Sequence, residues 1–353
     1  VGRSALLAYL LAIVYASLNP FIGWRAPEAF SLFTWPRYLN DFDIAINVLA
    51  YVPLGGMLAA VQFRAQRLGH RGSVDSPSTI LLRVTITGFL LSAALESLQT
   101  LLPVRVASPV DLLANTAGTF VGAALVVSRL GRRQLAGLLR WRHRHFSLGD
   151  TTSWGLLLLG AWFVAQLNPV IPFFEAGHIA NPFDTAAAQS PYEPIILLPQ
   201  AVGITLNVCG FALFVSLLLH QDRRGLFNVM FILVLGFLLK VSAASLMLKA
   251  PQMTSWLGPA TVIGLTSGLI LFAYFSRIEF RWRAFCATLF IFAGGLMAKI
   301  TSIYGAFDES LRLLNWPYGH LSSFTGLTRW IHEVWPLLAI LFAAWIFVRR
   351  HHH

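Results

Sequence analysis

The stretch ESLQTLLPVRVASPVDLLAN, residues 96–115, joins two apolar runs through a turn punctuated by Pro103 and Pro109. It places Glu96, Gln99, Arg105, Ser108, Asp111 and Asn115 beside long runs of Leu, Val, Ala and Phe. Reading outward, the runs on either side, about 80–102 and 109–129, are each long enough to cross a bilayer, which takes roughly 20 apolar residues. An ionisable side chain at membrane depth costs roughly 2.5–3.5 kcal/mol even on lenient insertion scales. Something in the fold or the function must offset that cost.

The rest of the chain agrees with a membrane reading. Its 353 residues are 56% hydrophobic and only 12% charged, with a mean hydropathy of +0.67. A soluble protein carries about twice that charged fraction. Ten spans are expected, at about 4–19, 41–62, 80–102, 109–129, 152–170, 195–219, 226–248, 258–276, 283–304 and 331–348. The first stops at Asn19-Pro20, because proline cannot continue the hydrogen-bond ladder.

The net charge of +11 does not indicate nucleic acid, because nearly all the basic residues sit in short loops. With the amino terminus in the cytoplasm, the inner side receives Arg3; Arg64, Arg67, Arg71 and Arg83; Arg129, Arg132, Arg133, Arg140, Arg142 and Arg144; Arg223 and Arg224; Arg277, Arg281 and Arg283; and Arg349 and Arg350. The outer loops receive Arg25, Arg37, Arg105, Lys249, Arg312 and Arg329, while Lys240 and Lys299 fall within spans. The expected location is the bacterial inner (cytoplasmic) membrane, multi-pass, with both termini cytoplasmic. The run 129–144 reads as a solvated cytoplasmic linker drawn to anionic headgroups.

An internal repeat is also legible. Ala16-Ser17-Leu18-Asn19-Pro20 recurs as Ala165-Gln166-Leu167-Asn168-Pro169, and Asn47-Val48 as Asn207-Val208. Gly88-Phe89-Leu90-Leu91 recurs as Gly236-Phe237-Leu238-Leu239, Ser97-Leu98 as Ser245-Leu246, and Pro103 as Pro251. Four spans per unit make this a parallel repeat. The second copy has Ala244 at the place of Glu96, Met253 at Arg105, Gly203 at Asp43 and Pro259 near Asp111. The expected fold is therefore an all-α polytopic integral membrane helical bundle of about ten transmembrane helices, two parallel four-helix repeats plus two C-terminal helices. Its parts are a four-helix unit at 1–130, a basic linker at 131–150, a degenerate second unit at 151–278, two further helices at 279–350, and a tag remnant at 351–353.

The polar residues of the first unit fall on helix faces. Asp43, Asn47 and Tyr51 are spaced i, i+4, i+8, and are followed by Pro53-Leu54-Gly55-Gly56. Ser92, Glu96 and Gln99 share a face of the third span, and Asp111, Asn115, Gly118 and Gly122 one of the fourth. These faces are expected to converge on an outward cleft with Arg105 above it. Each residue also has a structural reading. Asn40-Asp41-Phe42-Asp43 and Ser108-Pro109-Val110-Asp111 match capping boxes. Asn47 and Asn115 can simply bond between helices, and Gly118 with Gly122 fits close helix packing. Glu96 lies about two turns before Pro103, too deep to cap anything, and a buried ion pair with Arg105 holding the turn is its structural alternative.

These residues resemble the VanZ family. The resemblance rests on Asn19-Pro20, on Asp43, Asn47, Tyr51, Pro53, Leu54 and Gly55, on Glu96 and Gln99, on Pro103 and Arg105, and on Ser108, Asp111, Asn115 and Gly118, over about residues 8–128. It implies a small polytopic membrane protein with a cell-envelope role, and a link to resistance against the glycopeptide teicoplanin. It supplies no reaction.

Two readings follow, besides that of a purely structural scaffold. In the first, Asp43, Asn47, Tyr51, Glu96, Gln99, Arg105, Ser108, Asp111 and Asn115 bind or move the headgroup of a membrane lipid or lipid-linked envelope precursor, with Arg105 on phosphate and Arg25 or Arg37 as helpers. In the second, Glu96 or Asp111 is the general base of a transferase or hydrolase acting on a lipid-linked substrate. Cys209 and Cys286 lie in apolar runs, and His178, His320 and His332 lack ligand spacing, so neither metal nor cofactor is expected. The aromatic loops 20–40, 169–195 and 305–330 read as interfacial belts. Lys240 is expected to snorkel or to pair with a helix carbonyl.

Overall fold

The computed structural model describes residues 2–19, 21–26, 35, 41–67, 76–103, 105, 107–147, 149–171, 173–174, 194–220, 225–249, 257–301 and 320–349. These form eleven helices and no named strand among the described residues. They fall into two compact units, 1–142 and 143–353.

Unit 1 holds α1 (Gly2–Leu18), α2 (Asp41–Arg67), α3 (Pro77–Gln99) and α4 (Pro109–Val127). Local chemistry sets the boundaries. The Ser76 side chain accepts from the Thr79 N–H at the start of α3, and the Ser108 side chain accepts from the Val110 N–H at the start of α4. A proline at the first helical position follows each, where its missing N–H costs nothing. The closest packing is between α2 and α4, because small residues there let the backbones meet. A Cβ on Gly118 would lie 2.2 Å from the Val48 carbonyl oxygen, and one on Gly122 only 1.9 Å from that of Val52. Helices in lipid associate through such contacts rather than through apolar burial, since lipid tails are as apolar as leucine. The sequence reading of Gly118 and Gly122 as packing residues holds.

Next comes α5 (Arg129–His145), none of whose residues is buried. A linker was expected over 131–150, yet its Arg, Leu, Gln and Ala content favours helix, and Arg129, Arg133, Arg140 and Arg144 gather on one face of it.

Unit 2 holds α6 (Asp150–Gln166), α7 (Pro194–Leu218), α8 (Gly225–Met247), α9 (Pro259–Phe275), α10 (Phe280–Thr301) and α11 (His320–Arg349). At its centre α7 packs against both α9 and α10, while α11 packs against α10 and α6. The last two helices are thus built into the unit. Helix α7 is apolar all round and the most enclosed of the candidate spans, with Leu198 and Val202 near its start left exposed. Trp162, Phe211, Phe214 and Trp335 form the aromatic centre of this unit, with Trp162 stacked on Phe211 at 4.0 Å between ring centroids. The Trp335 indole N–H donates to the Leu158 carbonyl at 2.7 Å and ties α11 to α6.

All ten expected spans coincide with helices. Seven are long and apolar enough to cross a membrane by length and composition, and Ser4–Leu18 and Pro259–Phe275 are shorter apolar helices. The chain is an all-α polytopic membrane protein. One aromatic expectation is corrected: Phe173 and Phe174 are buried against Trp162 rather than part of an interfacial belt. They follow α6 so closely that the turn, with Phe174 at φ 59°, folds them back into the core. Trp24 and Trp35 are exposed as expected. Most of the three aromatic loops, Arg37, Pro251, Met253, His178, and the side chains of Lys299 and His320 lie outside the described residues.

Candidate functional site

The C-terminal ends of α1 and α3 and the N-terminal ends of α2 and α4 meet at one end of unit 1. The expected polar faces converge there. The Asn47 amide donates from α2 to Asp111 Oδ1 on α4 at 2.8 Å. The Asn115 amide donates from α4 to Ser92 Oγ on α3 at 3.0 Å. Asn47, Tyr51, Ser92, Glu96, Gln99 and Asn115 are all buried. Asp43 stands half-buried in the first turn of α2, one turn from Asn47.

Glu96 is the residue the structure corrects most. It is 3% exposed, and its Oε2 accepts from the Ser108 backbone N–H at 2.9 Å. It does cap a helix after all, though not its own. In a capping box the N-cap N–H goes to the carboxylate three residues on. Here it goes to a carboxylate reaching across from α3, and Asp111 is turned to Asn47 instead. The turn 100–107 brings the two together: Leu101 N–H donates to Leu98, Leu102 N–H to Gln99 and Arg105 N–H to Leu102.

Arg105 and Gln99 close the end of α1. The Arg105 guanidinium donates through Nε to the Asn19 carbonyl at 3.0 Å and through Nη2 to the Ala16 carbonyl at 2.9 Å. The Gln99 amide donates to the Ser17 carbonyl at 3.0 Å. The last carbonyls of a helix lack intrahelical donors and carry the negative end of its dipole, so a cation suits them. Burial lowers the Arg105 pKa from its ordinary value, and the Glu96 carboxylate acts against that shift. The Arg25 backbone N–H donates to the Leu101 carbonyl, which lays the segment after α1 along the same turn.

Within this cluster two buried side-chain atoms, the Tyr51 hydroxyl and Asn115 Oδ1, have no hydrogen-bond partner, and five such atoms elsewhere among the described residues have none either. Tyr51 lies beside Ser92 and Glu96. The fold therefore brings all nine expected site residues to one end of unit 1, spends most of their hydrogen bonds on one another or on backbone, and leaves a donor and an acceptor open. Ser92 belongs with them, and its spacing four residues before Glu96 was the sequence signal. The Ala16, Ser17 and Asn19 carbonyls carry no such signal, since backbone atoms do not vary with sequence.

Unit 2 has no comparable charged cluster among the described residues. Its buried cation, Lys240, donates to the Asn168 and Ile171 carbonyls beyond the end of α6, as the carbonyl reading expected. A separate cavity lies between α6, α7, α10 and α11, with Trp162, Phe174, Phe211 and Trp335 in its walls. It shares no residue with the polar cluster of unit 1.

Helix content, spans and a polar cluster held inside apolar helices define a multi-pass helical membrane protein. Its residues 6–130 match the VanZ/LLP1 family model, so this part of the chain is VanZ-like. No curated protein and no solved structure matches the chain.

Proposed function

We propose that the VanZ-like unit binds, or moves, the headgroup of an envelope lipid or lipid-linked precursor at the polar end of α1–α4. The observation that carries this reading is the pair of unsatisfied buried atoms, Tyr51 Oη and Asn115 Oδ1, beside Glu96. Buried polar atoms are nearly always hydrogen-bonded, so unpaired ones call for an explanation such as a ligand or ordered water. A headgroup that offers an oxygen to Tyr51 and a hydroxyl or amine to Asn115 would satisfy both. Glu96 supplies an acceptor and Arg105 a positive charge suited to phosphate. Binding is favoured over the transferase or hydrolase reading because Glu96 and Asp111 are already engaged, with Ser108 and Asn47.

Mass spectrometry of lipids copurified with the full chain tests this. Tyr51→Phe and Glu96→Gln are expected to lose about tenfold or more of the bound lipid, roughly 1.4 kcal/mol, without loss of thermal stability. Wild-type lipid loading in both variants would remove the reading. Turnover of a labelled lipid-linked precursor that disappears in Glu96→Gln would favour the enzyme instead. The VanZ link to teicoplanin makes raised tolerance on expression the matching cellular readout. The arginine distribution supports the inner membrane as the location, with both termini in the cytoplasm.

Unit 2 reads, in the same proposal, as a duplicated scaffold that has shed its charges. Gly118 meets Val48 in unit 1, and Gly268 meets Val208 in unit 2, at positions the sequence repeat pairs through Asn47-Val48 and Asn207-Val208. In each unit a buried or half-buried cation holds the carbonyl of the Asn-Pro asparagine: Arg105 on Asn19, and Lys240 on Asn168.

A further inference from the structure

Helix α5 carries Arg129, Arg132, Arg133, Arg140, Arg142 and Arg144 and no acidic residue. At 100° per residue, Arg129, Arg133, Arg140 and Arg144 gather on one narrow arc. Leu130, Leu135, Leu138, Leu139 and Trp141 lie on the opposite side, with Arg142 among them. Leu130 and Leu138 are 66% and 60% exposed, and Leu139 and Trp141 are exposed as well. No residue of α5 is buried, Leu135 and Arg142 are half-buried, and the exposed leucines give the helix an amphipathic surface.

Its ends say where it lies. At the start, Ser128 is extended (φ −61°, ψ 155°) and breaks α4. Its hydroxyl then accepts from the Gly131 N–H at 2.9 Å and caps α5. A Cβ on Gly131 would fall 1.5 Å from the Leu125 carbonyl oxygen, so the chain folds back tightly at this point and α5 cannot continue along the axis of α4. At the other end, His220 N–H donates to the His145 carbonyl and Ser147 N–H to the Leu218 carbonyl, both at 3.0 Å. Phe146 pairs with Leu219 as an isolated bridge. In unit 1 the start of α5 is thus held at the end of α4, and in unit 2 the residues that close and follow α5 are held at the end of α7; α4 and α7 are each candidate membrane spans.

We propose that α5 is an interfacial helix lying in the headgroup layer, its leucines and Trp141 among the acyl chains and its arginines on anionic phospholipid. The partner is the bilayer around α4 and not a soluble anion, because a free phosphate would leave the leucine face in water. Helices with this division of charge and apolar surface bind anionic interfaces through both faces at once.

The test uses the full chain in nanodiscs with and without phosphatidylglycerol. Cys209 is fully buried and stays; Cys286→Ala removes the other thiol. A spin label is placed at Leu138→Cys in one variant and at Arg133→Cys in another. The label at 138 is expected to relax with lipid-soluble oxygen, and the label at 133 with a water-soluble reagent. Native mass spectrometry is expected to show retained phosphatidylglycerol falling more than about tenfold when Arg129, Arg133, Arg140 and Arg144 are all replaced by Gln, with thermal unfolding unchanged. Equal exposure of both labels to the water-soluble reagent, shielding of both from either reagent, or undiminished phosphatidylglycerol in the quadruple variant would overturn the proposal.

Discussion

Glu96 Oε2 lies 2.9 Å from the Ser108 backbone nitrogen, so a carboxylate near the end of α3 caps the start of α4 across the turn that joins them. The bond accounts for a charge at membrane depth, and it separates what Glu96 does for the fold from what its charge does for a ligand. Glu96→Ala would leave the Ser108 N–H unpaired in a half-buried position and is expected to cost about 1–3 kcal/mol. In Glu96→Gln an amide oxygen still accepts. Thermal unfolding in detergent should therefore show a clear drop in Tm for Ala and little change for Gln.

Asn47 and Asp111 hold α2 to α4 by a side-chain hydrogen bond of 2.8 Å. A double-mutant cycle with Asn47→Ala and Asp111→Ala is expected to give a coupling of about 0.6–2 kcal/mol, the range for polar contacts between membrane helices. Additive effects would mean that the contact contributes nothing.

Gly122 and Gly160 form a matched pair. Gly122→Ala would put a methyl 1.9 Å from the Val52 carbonyl oxygen, while at Gly160 nothing lies within 4 Å. The first change is expected to cost about 1–3 kcal/mol through forced separation of α2 from α4. The second should be neutral or stabilising, because alanine favours helix. Melting curves of the two variants measured side by side decide it.

Arg105→Lys and Lys240→Met test the two carbonyl-bound cations. Lysine cannot reproduce the forked bond to Ala16 and Asn19, so Tm should fall by the equivalent of about one hydrogen bond, 0.5–1.5 kcal/mol. Lys240→Met leaves the Asn168 and Ile171 carbonyls without that donor while easing the burial of charge. Two acceptors then lose their donor, the buried Asn168 among them, so a loss at least as large as that of Arg105→Lys is expected.

The helices were legible because apolar length and punctuation are local properties. Ser108-Pro109 and Asn19-Pro20 mark boundaries with their own chemistry, and about 20 apolar residues need no partner to be recognised as a span. The faces were legible too: the i, i+4 spacing of Asp43, Asn47 and Tyr51, and of Ser92 and Glu96, follows from helix geometry alone. Less legible was the use of each residue. A capping box written in sequence at Ser108 and Asp111 was filled by Glu96, twelve residues earlier, because the turn at 100–107 delivers that carboxylate to the same N–H. Phe173 and Phe174 looked like belt aromatics, since composition cannot tell a ring facing lipid from one facing Trp162.

The sequence by itself determined a polytopic helical membrane protein with a VanZ-like first part and one polar end, because membrane solvation acts on each helix separately and leaves its mark residue by residue. Only the tertiary structure decided which polar atoms are spent and which are left. It joined Asp111 to Asn47, Glu96 to Ser108 and Arg105 to the carbonyls of α1, and it left Tyr51 and Asn115 each with an unpaired atom. Hydrogen bonds depend on distance and direction between chain segments far apart in sequence, and those are fixed only when the helices pack.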